Sequence, residues 1–247
     1  MPEISIKAEH LFNFLGLDIT NSLALSFVTS ALLIILGIYF KRHITLIPGK
    51  IQNALEFAFE EMLNLCNSVL NDRKKTEKYF PLIATIFFFV LVSNWLGLLP
   101  GIGSVGLYEP HGEEMSLIPL FRAPAADLNF TIAIALIAVF GVNIFGIIAI
   151  GVIPHFKKFL NFSSPISFFI GILEFISEIA KIISFSFRLF GNVFAGEVLL
   201  IIMAFLLPLI APLPFILLEI FVGFIQAFVF AMLTLVFLTI ATLEESH

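Results

Sequence analysis

The stretch from Ile182 to Ile210 reads IISFSFRLFGNVFAGEVLLIIMAFLLPLI, and Arg188 and Glu197 are its only charged residues. A charged side chain at the centre of a bilayer costs about 2.5–3.5 kcal/mol on insertion scales. A guanidinium cannot avoid this cost, because it stays protonated at any ordinary pH. Since long apolar runs flank Arg188 on both sides, we expect it to face a polar partner or an ion pathway rather than to reach the headgroups.

The composition of the whole chain is that of an integral membrane protein. Of its 247 residues, 60% are hydrophobic and 13% are charged, whereas soluble domains carry about 25% charged residues. The mean hydropathy is +1.07. The first ten residues, MPEISIKAEH, lack the basic and then apolar order of a cleavable signal peptide. We therefore expect the later apolar segments to direct membrane insertion.

Five apolar stretches have the length of membrane-spanning helices. They run over Leu23 to Phe40, Phe80 to Leu99, Phe130 to Ile153, Pro165 to Leu207 and Pro212 to Leu243. The region from Pro48 to Leu70 instead mixes glutamates with apolar residues, which is typical of an amphipathic helix at the membrane surface. The sequence predicts an all-α integral membrane protein with five spans and one interfacial helix.

No linker or composition shift divides the chain, so we expect a single membrane domain over residues 1–247. Within it, residues 1–79 would hold the first span and the surface helix, residues 80–164 the middle spans, and residues 165–247 a helical hairpin. Fully helical, the two arms of this hairpin would be about 65 Å and about 48 Å long. A hydrocarbon core is about 30 Å thick, so both arms must tilt steeply, bend or break.

The loop charges predict the orientation of the chain. Basic residues follow the first span, precede the second and follow the third, whereas the loop from Pro100 to Asp127 is acidic. Basic loops stay on the cytoplasmic side under the positive-inside rule. With five crossings, the N-terminus would lie outside and the C-terminal Glu244-Glu245-Ser246-His247 inside.

Polar residues of the fourth segment form one helical stripe. At about 100° per residue they fall within less than about 90° of each other; they are Glu174, Glu178, Lys181, Arg188 and Asn192. A polar stripe on a membrane helix faces protein or a water-filled cavity. For the first three residues, a polar seam that only joins helices is the alternative.

Two carboxylates are expected near the outer reversal between the last two segments. Glu197 lies about 180° around the helix from Arg188, so the two face different surroundings. In an antiparallel hairpin Glu219 lies at the level of Glu197, and Gln226 lies deeper, towards Arg188. Two carboxylates in a low-dielectric site tend to share a proton, which suits a proton relay. The alternative for Glu197 is a neutral carboxyl that joins two helices by a hydrogen bond.

Asp127, in the sequence ADLNFT ahead of the third span, has two interpretations. Its position is typical of a helix cap, and it could equally line an outer aqueous opening.

Elsewhere the histidines have no metal-ligand spacing, and no phosphate-binding glycine loop is present. We therefore expect no cofactor, no metal and no nucleic acid. A secondary transporter would predict repeated broken helices, and an intramembrane hydrolase would need a nucleophile and a base at one depth; neither pattern is visible.

Several motifs together resemble subunit a of F-type ATP synthases. The run SFSFRLFGNVFAGE from Ser184 to Glu197 is similar to the signature of that family, an arginine followed by an apolar pair, glycine, asparagine and a small-residue step. Further stretches are similar to the family's other spans: FVLVSNWLGLLPG, ADLNFTIAIAL, ILEFISEIAK and QAFVFAMLTLVFLTIA. The resemblance extends from about Phe80 to Leu243.

The resemblance implies a stator subunit beside a rotating ring of c subunits, held with the peripheral-stalk b subunits in a bacterial-type cytoplasmic (inner) membrane. The arginine matching Arg188 faces the ring carboxylate and separates two aqueous half-channels. Asn192 and Gln226 match polar positions near that arginine. Such a subunit is not catalytic by itself; it translocates protons, or sodium ions in some relatives, and couples their flow to ATP synthesis or hydrolysis.

The resemblance also implies roles for three carboxylates. Glu197 matches a carboxylate of the outer half-channel, and Glu174 matches one on the cytoplasmic side. Glu219 occupies a position that carries histidine in some relatives, which is a departure that bears on its role in the relay.

Overall fold

A computed structural model describes residues 8–14, 16–99, 105–111, 114–159, 164–208 and 210–243. Long helices make up most of the described chain. In order, the elements are β1 (His10–Phe14), β2 (Leu17–Thr20), α1 (Asn21–His43), α2 (Lys50–Leu70), α3 (Arg73–Gly97), β3 (Gly106–His111), β4 (Glu114–Pro119), a 3₁₀ turn (Pro124–Ala126), α4 (Leu128–Ile150), α5 (Val152–Lys157), α6 (Pro165–Leu206) and α7 (Pro212–Leu243).

The fold class predicted from the sequence is confirmed. Among the described residues, five helices are long and apolar enough to cross a membrane, namely α1, α3, α4, α6 and α7. Each coincides with one of the five predicted spans. The helix α6 runs for 42 residues without a break, so it is about 63 Å long at the usual rise per residue. Such a helix exceeds the hydrocarbon core, and its steep tilt in a membrane stays a prediction.

The predicted amphipathic helix is present as α2. It ends at Asn71, whose left-handed backbone (φ 51°) lets its N–H donate to the carbonyl of Asn67. This is the usual αL termination of a helix, at a residue type that tolerates it. The helix α2 is not among the candidate spans, and its position along a membrane surface stays a prediction.

Two short antiparallel hairpins were not predicted from the sequence. The strands β1 and β2 pair from His10 with Thr20 to Phe14 with Leu17, around Gly16 at φ +84°. The strands β3 and β4 pair from Gly106 with Pro119 to His111 with Glu114. Both hairpins lie outside the apolar spans, where short strands carry too few residues for a clear period-two pattern.

The described chain divides into two compact units. One comprises Met1–Thr45, Phe87–Thr131 and Phe187–Phe228, and the other Leu46–Ile86, Ile132–Ser186 and Val229–His247. Below, these are called the first and the second unit. The first buries Val90, Leu91, Leu189 and Ala227, and the second buries Ile83, Ala135, Leu235 and Leu238. The single membrane domain expected from the sequence stays a prediction, and the C-terminal tetrad lies outside the described residues.

Candidate ion-path residues

In the first unit, Arg188 lies on an exposed face of α6. Asn192, one turn later, donates from Nδ2 to the backbone carbonyl of Arg188 at 2.8 Å. Between them, Gly191 is exposed, and a methyl group added there would meet no atom within 4 Å. The neighbouring Leu189 is 1% exposed. This face of α6 is therefore smooth and open beside the cation, whereas the adjacent face forms part of the core.

Glu197, on the same helix, forms an ion pair that the sequence did not predict. Its carboxylate accepts from Nε of Arg122 at 3.0 and 3.2 Å and from Nη2 at 3.1 Å. The Arg122 side chain is 9% exposed and that of Glu197 is 28% exposed. The guanidinium carbon also lies 5.9 Å from the centre of the Phe194 ring. A fork of donors matched to two carboxylate oxygens fixes the geometry of both side chains.

Glu219, on α7, is buried against the backbone of α6. It is 8% exposed, and a methyl group at Gly196 would collide with its carboxylate. Glycine therefore makes room for the glutamate. Within the part of the chain that the structure describes, no hydrogen bond or ion pair is formed by the Glu219 carboxylate. Coupling of Glu219 to Glu197 stays a prediction, since the partner of Glu197 is Arg122.

The helix α3 fixes α7 beside Glu219 in the first unit. The Trp95 indole donates from Nε1 to the carbonyl of Ile220 at 3.1 Å, and Asn94 donates from Nδ2 to the carbonyl of Gly223 at 3.3 Å. These two carbonyls lie about one helical turn apart on α7. Gln226 lies half-buried on the next turn. The α3 side chains therefore hold the α7 segment that carries both polar residues.

Asp127 caps α4, as one of its two interpretations predicted. Its Oδ1 accepts from the N–H of Asn129 at 2.9 Å, and its carbonyl accepts from the N–H of Thr131 at 3.1 Å. Its Oδ2 accepts from the Ser22 hydroxyl at 2.5 Å. The residue is 6% exposed. Asp127 thereby joins the start of α4 to the start of α1, and an opening to water beside it stays a prediction.

In the second unit, the other members of the polar stripe form ion pairs. Lys181 donates from Nζ to Glu178 at 2.6 Å and lies 4.8 Å from the Phe237 ring centre. Glu174 pairs with Lys158 at 3.8 Å. These contacts show that the stripe predicted for α6 faces protein over this stretch, which fits the polar-seam alternative as well as an ion path.

A buried histidine and an asparagine extend this polar cluster. Asn143 on α4 donates from Nδ2 to Glu178 at 3.2 Å, and its Oδ1 lies 3.0 Å from Nε2 of His155. His155 is 2% exposed. The sequence places His155 near the basic pair Lys157 and Lys158, in a segment expected to form a loop. The short helix α5 instead turns it inward, and Gly146 leaves the space that its ring occupies.

Five apolar helices that are long enough to cross a membrane, with charged side chains inside some of the spans, make this a multi-pass membrane protein. A family model described as ATP synthase A chain matches residues 23–239. The chain belongs to the ATP synthase subunit a family.

Relatives in several bacteria agree with this assignment. The chain is 35% identical over 242 residues to ATP synthase subunit a of Geotalea daltonii, covering 96% of this chain and 95% of that protein. It is 34% identical over 229 residues to ATP synthase subunit a 3 of Pelobacter propionicus, with 92% and 89% covered. It is 34% identical over 248 residues to ATP synthase subunit a of Helicobacter hepaticus, with 97% and 99% covered. The family resemblance predicted from sequence motifs is confirmed.

Proposed function

We propose that this chain carries ions along two offset aqueous half-channels and presents Arg188 to the carboxylate of a rotating ring of c subunits. Family membership supports a role in ion translocation within an ATP synthase complex. The observation that carries the finer proposal is the exposed face of α6, on which Arg188 and Asn192 flank the open position of Gly191. A partner helix can approach this face closely at Gly191, one turn from Arg188.

The arginine has two effects in this arrangement. A ring carboxylate arriving from hydrocarbon is protonated, and an opposite charge close by favours its ionised form. The proton is therefore released beside Arg188. The same fixed charge repels a cation that would cross directly from one half-channel to the other. Ions must then travel on the ring, and their flow becomes rotation. The chain itself catalyses no reaction.

The outer half-channel would use the first unit. Asp127, Glu197, Glu219 and Gln226 belong to that unit together with Arg188. Glu197 is held by Arg122 at hydrogen-bonding distance, which suits a fixed charge. Glu219 is a buried carboxyl that forms no hydrogen bond or ion pair among the described residues, and it suits a group that takes up and gives away a proton. We propose that the proton passes by Glu197 and is carried by Glu219 towards Gln226.

The cytoplasmic half-channel would use the second unit. Glu174, Glu178 and Lys181 belong to it, and all three already have charged partners. Paired charges can line a hydrated path without the cost of an isolated charge. Loop charge supports an outside N-terminus and a cytoplasmic C-terminus in a bacterial inner membrane. Peripheral-stalk b subunits would hold the chain against the turning ring.

The decisive experiment replaces Arg188 by alanine in the assembled complex and measures ATP-driven proton pumping in inverted membrane vesicles. We expect pumping to be lost while the complex still assembles. Arg188→Lys should also be severely impaired, because an ammonium lacks the planar fork of donors. Arg42→Ala, at the exposed end of α1, is the matched control and should pump normally. Normal pumping by assembled Arg188→Ala would refute the proposal.

A second experiment tests the two half-channels. Cysteines at Glu197 and Glu219 should react with membrane-impermeant thiol reagents from the outer side only. Cysteines at Glu174 and Glu178 should react from the cytoplasmic side only. Equal labelling from both sides at all four positions would indicate one continuous pore and would contradict offset half-channels.

A further inference from the structure

A basic pocket in the second unit lies outside the proposed ion path. Its volume is about 300 Å³, and three lysines of the first turns of α3 line it, namely Lys74, Lys75 and Lys78. The last turns of α4 and α7 complete the wall through Ile148 and Thr242. Lys75 is half-buried, and Lys74 and Lys78 are exposed. Three separate stretches of chain thus line one open pocket that carries three ammonium groups.

The segment that supplies the pocket lysines carries more basic than acidic side chains. Residues 72–78 carry four basic side chains against two acidic ones. Asp72 is engaged as a helix cap, since its Oδ1 accepts from the N–H of Lys74 at 2.9 Å. Glu77 pairs with Arg73 at 2.9 Å. The first turn of a helix also favours negative charge and disfavours cations. Cations gathered there indicate that an anion is the preferred occupant.

The other wall of the pocket is apolar. Tyr79 is 2% exposed, and Nζ of Lys78 lies 5.7 Å from the centre of its ring. Ile148 is exposed and continues a row of exposed side chains along α4 with Ile144 and Phe140. Residues four apart lie on one face of a helix. The row leads from the pocket along a helix that is long and apolar enough to cross the membrane.

We propose that this pocket binds the phosphate of an anionic phospholipid, whose acyl chains lie along the α4 row. Basic pockets between transmembrane helices on the cytoplasmic side favour anionic headgroups. A free phosphate would use the lysines but not the apolar row, whereas a phospholipid uses both. The loop charges put the site in the cytoplasmic leaflet. The lipid site does not depend on the ion path, so either proposal can fail without the other.

The test measures lipid retention by the intact ATP synthase complex, purified in detergent and titrated with phosphatidylglycerol or phosphatidylcholine, by native mass spectrometry. The pocket variant replaces the three lysines by glutamine. Each lysine near an anionic surface contributes about fivefold in affinity, so the variant should bind phosphatidylglycerol about 100-fold more weakly. Phosphatidylcholine binding should be unchanged. The matched control, K41Q/R42Q/K50Q, removes the same charge from another basic loop and should bind like wild type.

Two further measurements separate the lipid from other occupants. A variant with three arginines in place of the pocket lysines keeps the charge and should retain phosphatidylglycerol, which also checks that the segment folds. Displacement of the lipid by inorganic phosphate alone would assign the site to a free anion and overturn the proposal. Equal losses in the pocket variant and the matched control would also overturn it, because they would indicate general attraction to a charged surface.

The chain's own C-terminus supplies the last alternative. Glu244 and Glu245 follow Thr242 closely in the sequence. If wild type retains no phosphatidylglycerol and the variant E244Q/E245Q does, these carboxylates occupy the lysines in the native chain and the lipid assignment is wrong. Unchanged retention supports the lipid as the occupant.

Discussion

Replacing Arg122 by glutamine removes one side of an ion pair with three hydrogen-bond contacts, at 3.0, 3.2 and 3.1 Å. Removing one partner of a fully buried pair costs about 3–5 kcal/mol, because the other charge is left uncompensated. The Glu197 side chain is 28% exposed, so we expect the lower end of that range, about 3 kcal/mol. For a chain of this size, that free energy lowers the unfolding midpoint by about 6–12 °C.

The design is a double-mutant cycle with Arg122→Gln, Glu197→Gln and the double variant. Each single variant should be strongly destabilised, and the double variant should recover about 2 kcal/mol of the summed loss, since no charge is left unpaired. The assay is thermal unfolding of the full chain in detergent. The exposed Arg73–Glu77 pair, with side chains 54% and 60% exposed, is the matched control. Its cycle should show a coupling of about 0–1 kcal/mol.

The refuting result is an additive cycle. If the two single losses sum to that of the double variant within about 0.5 kcal/mol, the ion pair does not hold Glu197. Proton pumping supplies a second readout. Arg122→Gln should slow pumping in the assembled complex, since the fixed charge of the outer path loses its position. A variant that unfolds more easily but pumps at the wild-type rate would limit Arg122 to a role in stability.

Two further predictions follow from burial and close contact. Gly196→Ala should push the carboxylate of Glu219 aside and destabilise the chain by about 1–3 kcal/mol. The control Gly37→Ala, at a position with open space around it, should stabilise its helix slightly. Equal unfolding midpoints for the two variants would contradict the close contact between Gly196 and Glu219. Burial raises the pKa of the Cys66 thiol to about 11, so the reactive thiolate is scarce at neutral pH and alkylation should rise about tenfold per pH unit between pH 8 and 10. The control Ser68→Cys, exposed on the same helix, should level off near pH 9; the same levelling at Cys66 would contradict a raised pKa.

The helices were predictable because their signals are strong and local. An apolar run long enough to span a membrane needs no knowledge of its partners. The predicted hairpin arms agree with α6 and α7 almost to the residue. The amphipathic pattern of α2 was equally clear. By contrast, the two β-hairpins depend on pairing of a few residues each, and a few residues do not establish a period.

The polar contacts were only partly predictable. The position of Asp127 before a span suggested a helix cap, and a cap is local. The ion pair of Arg122 and Glu197 joins residues 75 positions apart, and in the sequence Arg122 is only a basic residue in an acidic loop. The one signal in the sequence was that Arg122 is the only arginine or lysine among the carboxylates of that loop. The inward turn of His155 could not be read from the sequence at all, because it follows from the short helix α5.

The ion pair of Arg122 and Glu197 also constrains how related chains can change over time. Losing either charge first leaves the other one uncompensated, so the route to a neutral pair passes through a weakened intermediate. Substitutions at these two positions should therefore arise together, or each should follow quickly once the other has occurred. Covariation of the two positions among relatives would record this history. A chain with glutamate at position 122 and arginine at position 197 should be tolerated, whereas a chain that keeps only one of the two charges should not.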